Sequence, residues 1–275
     1  MSLDAAWIKN AAAAQGWVAM DTEFAPEYPF EPNATMSMFS WLGELFSFTP
    51  DYFQRRPADS SGVPAKKDWR ELNSCITAPL NQRDINACAS FATCSVGDAR
   101  ARIAGLHPGQ SAPLFHYFCT LGRTITSGAD FDWIAEMTLQ KGLPYAISAS
   151  DSLRDKDACP ALGVPQTLGV SAFYSFKTVE EVKREIAKHG PVMANMDLRE
   201  DFHKWYRSGI YKPTGLQIRS LHAVCLIGYD DKAGCWIGKN SLGTEWGEDG
   251  GFFRIAYGAA GILSNGEPVY SLDLA

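Results

Sequence analysis

The sequence lacks any long apolar run and any concentration of positive charge. No stretch approaches the roughly 20 apolar residues that a membrane-spanning helix needs, because the longest candidates contain Gly, Ser or charged residues. Lysine and arginine number 25 against 31 acidic residues, a formal net charge of -6, and they are scattered among the acids. Without a basic stripe there is no field to attract a phosphate backbone. We therefore expect neither a membrane nor nucleic acid as a partner.

The N-terminus also lacks the features of a secretory signal peptide. It has no basic start, it carries an acid at Asp4, and its alanine run is only weakly apolar. Internal repeats and low-complexity tracts are missing as well. What is present is a chain of 275 residues, 46% of them hydrophobic, which is enough for one large domain or two small ones.

The cysteine count is odd, which allows up to three disulfides and leaves at least one free thiol. The seven cysteines are Cys75, Cys88, Cys94, Cys119, Cys159, Cys225 and Cys235. A zinc site on His222, Cys225 and Cys235 is conceivable, but their spacing matches no established ligand pattern, so we expect no metal and no cofactor. The other histidines fall in no motif and are interpreted as surface or packing residues: His107, His116, His189 and His203.

Two compositional regions divide the chain near residue 62. Residues 1–62 are rich in proline, acids and aromatics, with six aromatic residues between Phe39 and Phe53, and they end in RRPADSSGVP, which is typical of a linker. So many aromatic side chains need a surface to cover. We predict an N-terminal extension, 1–62, followed by one larger domain, 63–275, which the motifs described below indicate to be catalytic.

Within the second region the pattern is helical first and then rich in strands. Apolar residues at helical spacing predict a buried helix starting near Cys88, and similar patterns predict surface helices over 130–142 and 178–190. The last of these opens with a Thr-x-x-Glu capping box and closes on Gly190. After Pro191, short apolar runs separated by Gly and Asp predict an antiparallel sheet: PVMANM, HAVCLIGY, CWIGKN and GFFRIAY. This order indicates an α+β fold.

Three blocks of sequence contain the residues of a thiol enzyme. A cysteine is nucleophilic as its thiolate, which a helix N-terminus and a nearby imidazolium stabilise, and Cys88 stands where a helix begins. PLNQRDINACASF resembles the active-site motif of the papain and cathepsin family, with Gln82 six positions before Cys88. SLHAVCLIGYDD is similar to that family's histidine strand, and WIGKNSLGTEWGEDGGFFRI resembles its asparagine block, which gives His222 and Asn240.

The resemblance covers roughly residues 63–257 and implies a papain-like fold of two lobes with a cleft between them. The helical lobe would span about 70–165 and the β lobe about 166–265. It implies that His222 takes the proton of Cys88, that Asn240 orients the histidine, and that Gln82 donates to the oxyanion. The expected substrate is a peptide or protein, cleaved through a thioester.

The same resemblance implies less specific assignments. Either Ser127 and Gly128, or Gly128 and Ala129, would contact the substrate backbone, and Asn195 and Ala223 would border the second substrate position. A disulfide is implied between Cys119 and Cys159, with the other cysteines mostly reduced. Such a bond favours a secreted protein or another oxidising compartment.

The sequence departs from the family at positions close to these groups. Ala89 and Leu242 stand where the family has tryptophan, and losing two shielding rings is expected to weaken the His222–Asn240 hydrogen bond or open the site. Ile85 replaces a family cysteine, so one family disulfide is absent. Two alternatives to a peptidase therefore remain: an acyl transferase or isopeptidase with the same groups, and a catalytically weak binding protein on the same scaffold.

Residues 1–62 occupy the position of the family's pro-segment. Their position, and not their sequence, predicts an intramolecular inhibitor that runs through the cleft near Cys88, with a cleavable link between Arg55 and Lys66. A permanent extension packed away from the cleft is the alternative.

Overall fold

The structure is a computed structural model that describes residues 4–21, 52–57, 59, 61–72, 74–106, 109–145, 153–163 and 165–275. The α-helices in these ranges are α1 (Ala5–Gln15), α2 (Cys88–Ile103), α3 (Pro113–Phe115), α4 (Phe131–Lys141) and α5 (Val179–Lys188). Single turns of 3-10 helix lie at Trp69–Glu71 and Ala259–Gly261, with a longer one at Lys156–Leu162; π-helical turns lie at His116–Thr120 and Asp201–Trp205. No helix in the described ranges is both long and apolar enough to cross a bilayer.

Helix α2 is the central helix of the molecule. Small residues such as Ala89, Ala92 and Gly97 let neighbouring elements approach it closely, and at Gly97 a Cβ would lie 2.2 Å from the side chain of Leu143. The helix starts at Cys88, as predicted, and its last turn carries basic Arg100 and Arg102, which suit the negative end of the helix dipole.

The two predicted surface helices are confirmed. Asp130 caps α4 through the backbone N–H of Trp133. The capping box of α5 is formed in full between Thr178 and Glu181. Helix α5 ends at Lys188, two residues before Gly190, whose φ of +128° places it in the range that favours glycine.

The strands are β1 (Trp17–Ala19), β2 (Phe53–Gln54), β3 (Lys66–Asp68), β4 (Leu143–Tyr145), β5 (Gln166–Leu168), β6 (Val170–Phe176), β7 (Val192–Arg199), β8 (Tyr206–Tyr211), β9 (Ile218–Asp230), β10 (Cys235–Lys239), β11 (Phe252–Ala256) and β12 (Val269–Leu274). Strands β4 and β5 form a small separate pair. The others form a ten-stranded sheet in the order β1-β8-β11-β10-β9-β7-β12-β6-β2, with β3 also paired to β9. Pairing is antiparallel except between β8 and β11 and between β2 and β6. The predicted strands therefore form one sheet, joined by strands from the N-terminal region.

Two hydrophobic cores lie on the two faces of this sheet. Alternate residues of β9 divide between them: Ala223, Cys225 and Ile227 pack with α2 and α4, whereas Val224 and Leu226 pack with α1 and α5. This division follows from the two-residue period of a strand. It brings α2, which begins at Cys88, against the strands that carry the other candidate groups.

Parts of residues 1–62 are integral to this sheet. Strand β1 pairs with β8 at one edge, where Trp17 is buried and donates from Nε1 to the carbonyl of Lys212 at 3.0 Å. Strand β2 pairs with β6 at the opposite edge. The predicted aromatic segment lies mostly outside the described residues; Tyr52 and Phe53 are its described members, and both pack on the core that contains α2.

Candidate active site

Cys88 is the first residue of α2 and its thiol is partly exposed. Burial raises the pKa of this thiol, while the backbone N–H groups of Ala223, Ala89 and Cys88 itself lower it. Three backbone donors around one sulfur, at the positive end of a helix, are suited to hold a thiolate.

His222 precedes Ala223 on β9 and hydrogen-bonds to Asn240. The distance from His222 Nε2 to Asn240 Oδ1 is 2.8 Å, and each side chain is 3% exposed. Burial lowers the pKa of His222, and the bond to Asn240 raises it. Asn240 directly follows β10, which is paired with β9, so the sheet register brings the two residues together from 18 positions apart.

Gln82 comes from the segment before α2 and is held at both ends of its amide. Its Nε2 donates to the carbonyl of Ile85 at 2.8 Å, and its Oε1 accepts a short hydrogen bond from Ser241 Oγ. The backbone N–H of Ser241 also donates to Asn240 Oδ1 at 2.8 Å. Ser241 therefore links Gln82, the candidate oxyanion donor, to Asn240, the candidate orienting residue. Ser241 lies within the asparagine block, but its sequence position did not predict this link.

The loop with Ser127 and Gly128 lies beside the start of α2. Asn86, two residues before Cys88, donates its backbone N–H to Ile125 and its side-chain amide to Thr126. Tyr117 also holds this loop in place: its hydroxyl donates to the carbonyl of Thr124 at 2.7 Å and accepts from the backbone N–H of Gly128 at 3.1 Å. Gly128 has a φ of +63°, and a Cβ there would meet open space. Tyr117 falls in no motif, so its role could not be predicted from the sequence.

Asn195 and Ala223 face each other on paired strands. The register of β7 and β9 sets Asn195 opposite Ala223, and Met196 opposite His222. Both predicted pocket residues therefore stand next to the His222–Asn240 pair. Ala223 is buried, whereas Asn195 is half-buried.

With Ala89 and Leu242 at the positions of the family tryptophans, His222 and Asn240 are both buried. Leu242 is 3% exposed and packs in the core that contains Trp246, and Ala89 is buried in the core around α2. The hydrogen bond between His222 and Asn240 has a normal length of 2.8 Å. Ile85, in place of the family cysteine, is fully buried among apolar residues.

The cysteines are paired as the resemblance implied. A disulfide joins Cys119 to Cys159, and the remaining five cysteines are free. Cys225 and Cys235 lie on adjacent strands but out of register, since Cys225 is opposite Lys239 and Cys235 is opposite Asp230.

Within the described ranges, no three His, Cys, Asp or Glu side chains are grouped so that they could hold a metal ion.

A buried lysine lies directly before Asn240. Lys239 is 4% exposed and donates from Nζ to Thr77 Oγ1 at 2.9 Å. Burial lowers its pKa, and burial raises the pKa of nearby Asp98, whose carboxylate accepts two hydrogen bonds from Ser111. Because Asp98 is on α2, these charges support the contact between the helix of Cys88 and the strand that leads to Asn240.

Comparisons with known proteins agree with this geometry. The sequence model of the papain family cysteine proteases matches residues 119–270, more than half of the chain. The cathepsin B-like CP2 of Giardia intestinalis is 27% identical over 219 residues, 73% of this chain and 71% of that protein. A gut-specific cysteine proteinase of Caenorhabditis elegans is 41% identical over 92 residues, 33% of this chain and 27% of that protein. Among solved structures, proCathepsin B S9 from Trypanosoma congolense superimposes with a TM-score of 0.72 at 18% identity, covering 97% of this chain and 96% of that one. The chain therefore has a papain-like α+β fold and belongs to the papain family of cysteine proteases.

Proposed function

We propose that this cysteine protease is an endopeptidase in which Cys88 is the nucleophile, His222 the base, Asn240 its orienting partner and Gln82 an oxyanion donor. The observation that carries the proposal is the 2.8 Å hydrogen bond between His222 Nε2 and Asn240 Oδ1. His222 directly precedes Ala223, whose backbone N–H lowers the pKa of the Cys88 thiol. Ser241 supports the arrangement because it bonds both Gln82 and Asn240.

The reaction proceeds in two halves. His222 takes the proton of the Cys88 thiol, the sulfur attacks the peptide carbonyl, and Gln82 Nε2 donates to the oxyanion. The amine leaves with the proton from His222, which produces a thioester on Cys88. A water molecule then attacks the thioester, gives a proton to His222 and releases the acid, and the proton returns to sulfur.

Charge balance within the site favours a Cys88 thiolate and a His222 imidazolium that form together as an ion pair. Burial disfavours both the thiolate and the imidazolium taken singly, because it raises the pKa of Cys88 and lowers the pKa of His222. Opposite charges formed together offset this cost, and the N–H groups at the sulfur and the carbonyl of Asn240 each stabilise one of them.

Residues 1–62 are proposed as an inhibitory pro-segment. The support is their attachment: β1 and β2 are held at opposite edges of the sheet, on either side of residues 22–51, which lie outside the described residues. The intact chain is then less active than a chain cut between Arg55 and Lys66. Equal activity before and after the cut would reject the inhibitory role and leave the peptidase assignment standing.

Thiol labelling tests the catalytic assignment. An epoxide probe followed by mass mapping is expected to modify Cys88, and Cys88→Ala is expected to abolish both labelling and hydrolysis, whereas Cys75→Ala, at another partly exposed free thiol, retains them. Hydrolysis by the Cys88→Ala variant would overturn the mechanism. Product analysis with an added amine separates hydrolysis from acyl transfer, because transfer would yield the amide faster than the acid.

A further inference from the structure

The segment Tyr52–Pro57 is attached to the domain by an arginine held between two carboxylates. Arg56 donates to both oxygens of Glu185, from Nε and Nη2 at 2.9 Å each, and to both oxygens of Asp273 at 2.6 Å. The Arg56 side chain is 16% exposed and that of Glu185 is 1% exposed. Paired two-point contacts of this kind are specific for a planar guanidinium, and a lysine cannot reproduce them.

The surroundings of Arg56 complete a recess. Its guanidinium stacks on the ring of Tyr174 at 3.7 Å, and Glu185 also accepts from Arg100 and from Ser271. Two guanidiniums thus balance two carboxylates. Without Arg56, both carboxylates would face a single arginine, and Glu185, whose side chain is 1% exposed, would lose one of its two guanidinium partners.

Two further contacts recognise the residues before the arginine. Strand β2 pairs with β6 in parallel, with Phe53 opposite Phe173 and Gln54 opposite Tyr174. The Phe53 ring lies 4.6 Å from the ring of Tyr270 and 6.1 Å, edge on, from that of Phe173. The surface therefore accepts an extended strand with an aromatic residue at one position and an arginine three positions later.

Beyond Arg56 the described residues make few contacts with the domain until the chain re-enters the sheet. Asp59, Ser61 and Gly62 are exposed, and among the described contacts Asp59 and Ser61 reach the domain through Lys188. Exposed ion pairs contribute little. The chain is anchored again where Pro64 accepts from Tyr229 and Ala65 accepts from Asp231. A cut between Asp59 and Val63 would therefore leave the Arg56 contacts unchanged.

We infer that the recess of Glu185, Asp273 and Tyr174 is an arginine-binding docking site on the catalytic domain. Its occupant is the chain's own Tyr52–Pro57, which remains bound without a covalent link after a cut between Asp59 and Val63. Binding of Tyr52–Pro57 in this recess does not depend on whether residues 1–62 inhibit the enzyme.

The test follows the N-terminal piece after a defined cut. The recognition sequence of a site-specific protease is inserted between Gly62 and Val63 in the Cys88→Ala protein, which cannot digest itself if the proposed mechanism holds. After the cut, native mass spectrometry measures how fast the piece dissociates on dilution. In the Arg56→Gln variant the piece is expected to dissociate at least tenfold faster than in the unsubstituted protein. In the Arg55→Gln variant, which changes the exposed neighbouring arginine, the dissociation rate is expected to equal that of the unsubstituted protein.

Asp273→Asn provides a second variant should Arg56→Gln fail to fold. It weakens one of the two carboxylates and leaves Glu185 paired with Arg100, and it too is expected to speed dissociation. Immediate loss of the piece from the unsubstituted protein would overturn the inference. Equal dissociation of the unsubstituted, Arg56→Gln and Asp273→Asn proteins would overturn it as well, since attachment would then depend on α1 and β1. The same insertion and cut in the protein that keeps Cys88, with activity measured while the piece is still bound, tests the inhibitory role independently.

Discussion

Ser241 shows how a single hydroxyl connects two parts of the site. Its Oγ bond to Gln82 crosses from the β lobe to the segment before the Cys88 helix, while its backbone bonds to Asn240 Oδ1 and to the Gln82 N–H do not depend on the side chain. Loss of the hydroxyl frees the Gln82 amide to turn away from the oxyanion position.

Ser241→Ala is therefore expected to reduce kcat/KM by about two- to tenfold, which corresponds to the roughly 0.5–1.5 kcal/mol of a typical hydrogen bond. Steady-state kinetics on a peptide substrate measure the effect. Ser171→Ala, an exposed serine at the far end of the sheet that bonds the carbonyl of Leu274, serves as control and leaves kcat/KM unchanged. An unchanged rate in Ser241→Ala would mean that Ile85 alone orients Gln82.

Asn240 controls the charge of His222, so its replacement predicts a shift in the pH profile. The bond to Asn240 raises the pKa of His222 against the effect of burial. Asn240→Ala removes that contribution, so the imidazolium loses its proton at lower pH and the alkaline limb of kcat/KM moves to lower pH. Asn240→Asp places an anion there and moves the limb to higher pH. Shifts in the same direction in both variants would contradict this role.

Motif residues were predictable, and the residues that position them were not. Cys88, His222 and Asn240 stand in sequence motifs that can be recognised without a structure. Tyr117 and Lys239 act through contacts that depend on how a loop and a helix pack against the sheet, and Tyr117 fastens Gly128 from 11 positions away. Nothing in the local sequence distinguishes such a tyrosine from one that only fills space.

At the scale of elements, a buried histidine joins α2 to α4. His116 is fully buried, with Nδ1 3.0 Å from Ser90 Oγ on α2 and Nε2 3.0 Å from Thr138 Oγ1 on α4. Burial lowers the pKa of His116 to about 3. The unfolded chain binds this proton near pH 6.5, so below that pH protonation favours unfolding, and the stability that neutral His116 contributes is lost as pH falls toward 3.

His116→Gln should flatten the dependence of the unfolding free energy on pH. Between pH 6.5 and about 3 the slope is expected to decrease by up to about 1.4 kcal/mol per pH unit, the contribution of one proton. Urea denaturation at several pH values gives this slope. Thr138→Val is the matched control, because it lowers stability at every pH while the histidine still titrates. Equal slopes in the His116→Gln variant and the unsubstituted protein would refute the assignment.

Elements with local signals were predicted, whereas strands that depend on distant partners were missed. The capping box of α5 lies within four residues of sequence, and the apolar period of α2 is visible in its own turns. Strand β1 has three residues, and Trp17 hydrogen-bonds to Lys212, 195 positions away. A strand that short forms because the edge strand β8 is available for pairing. The sequence around β1 contains no information about β8, so β1 could not be predicted from it.

At the scale of the whole molecule, two tryptophans test how the N-terminal region is attached to the domain. Trp17 is 3% exposed, with its ring 5.3 Å from that of Tyr211 and 6.0 Å from that of Tyr206. Trp7, on α1 only ten positions earlier, is 46% exposed. Removing a buried tryptophan costs roughly 3–5 kcal/mol, whereas removing an exposed one costs little.

Trp17→Ala is expected to release α1 and β1 from β8, so that limited proteolysis removes these elements at least tenfold faster, while Trp7→Ala behaves like the unsubstituted protein. If the N-terminal region inhibits the enzyme, Trp17→Ala also raises the activity of the uncut chain, because one of its two attachments to the sheet is lost. Faster proteolysis without a gain in activity would assign the region a structural role only. Equal proteolysis of the two variants would show instead that β1 contributes no attachment, which would leave Arg56 at the opposite edge of the sheet as the contact that holds residues 1–62 to the domain.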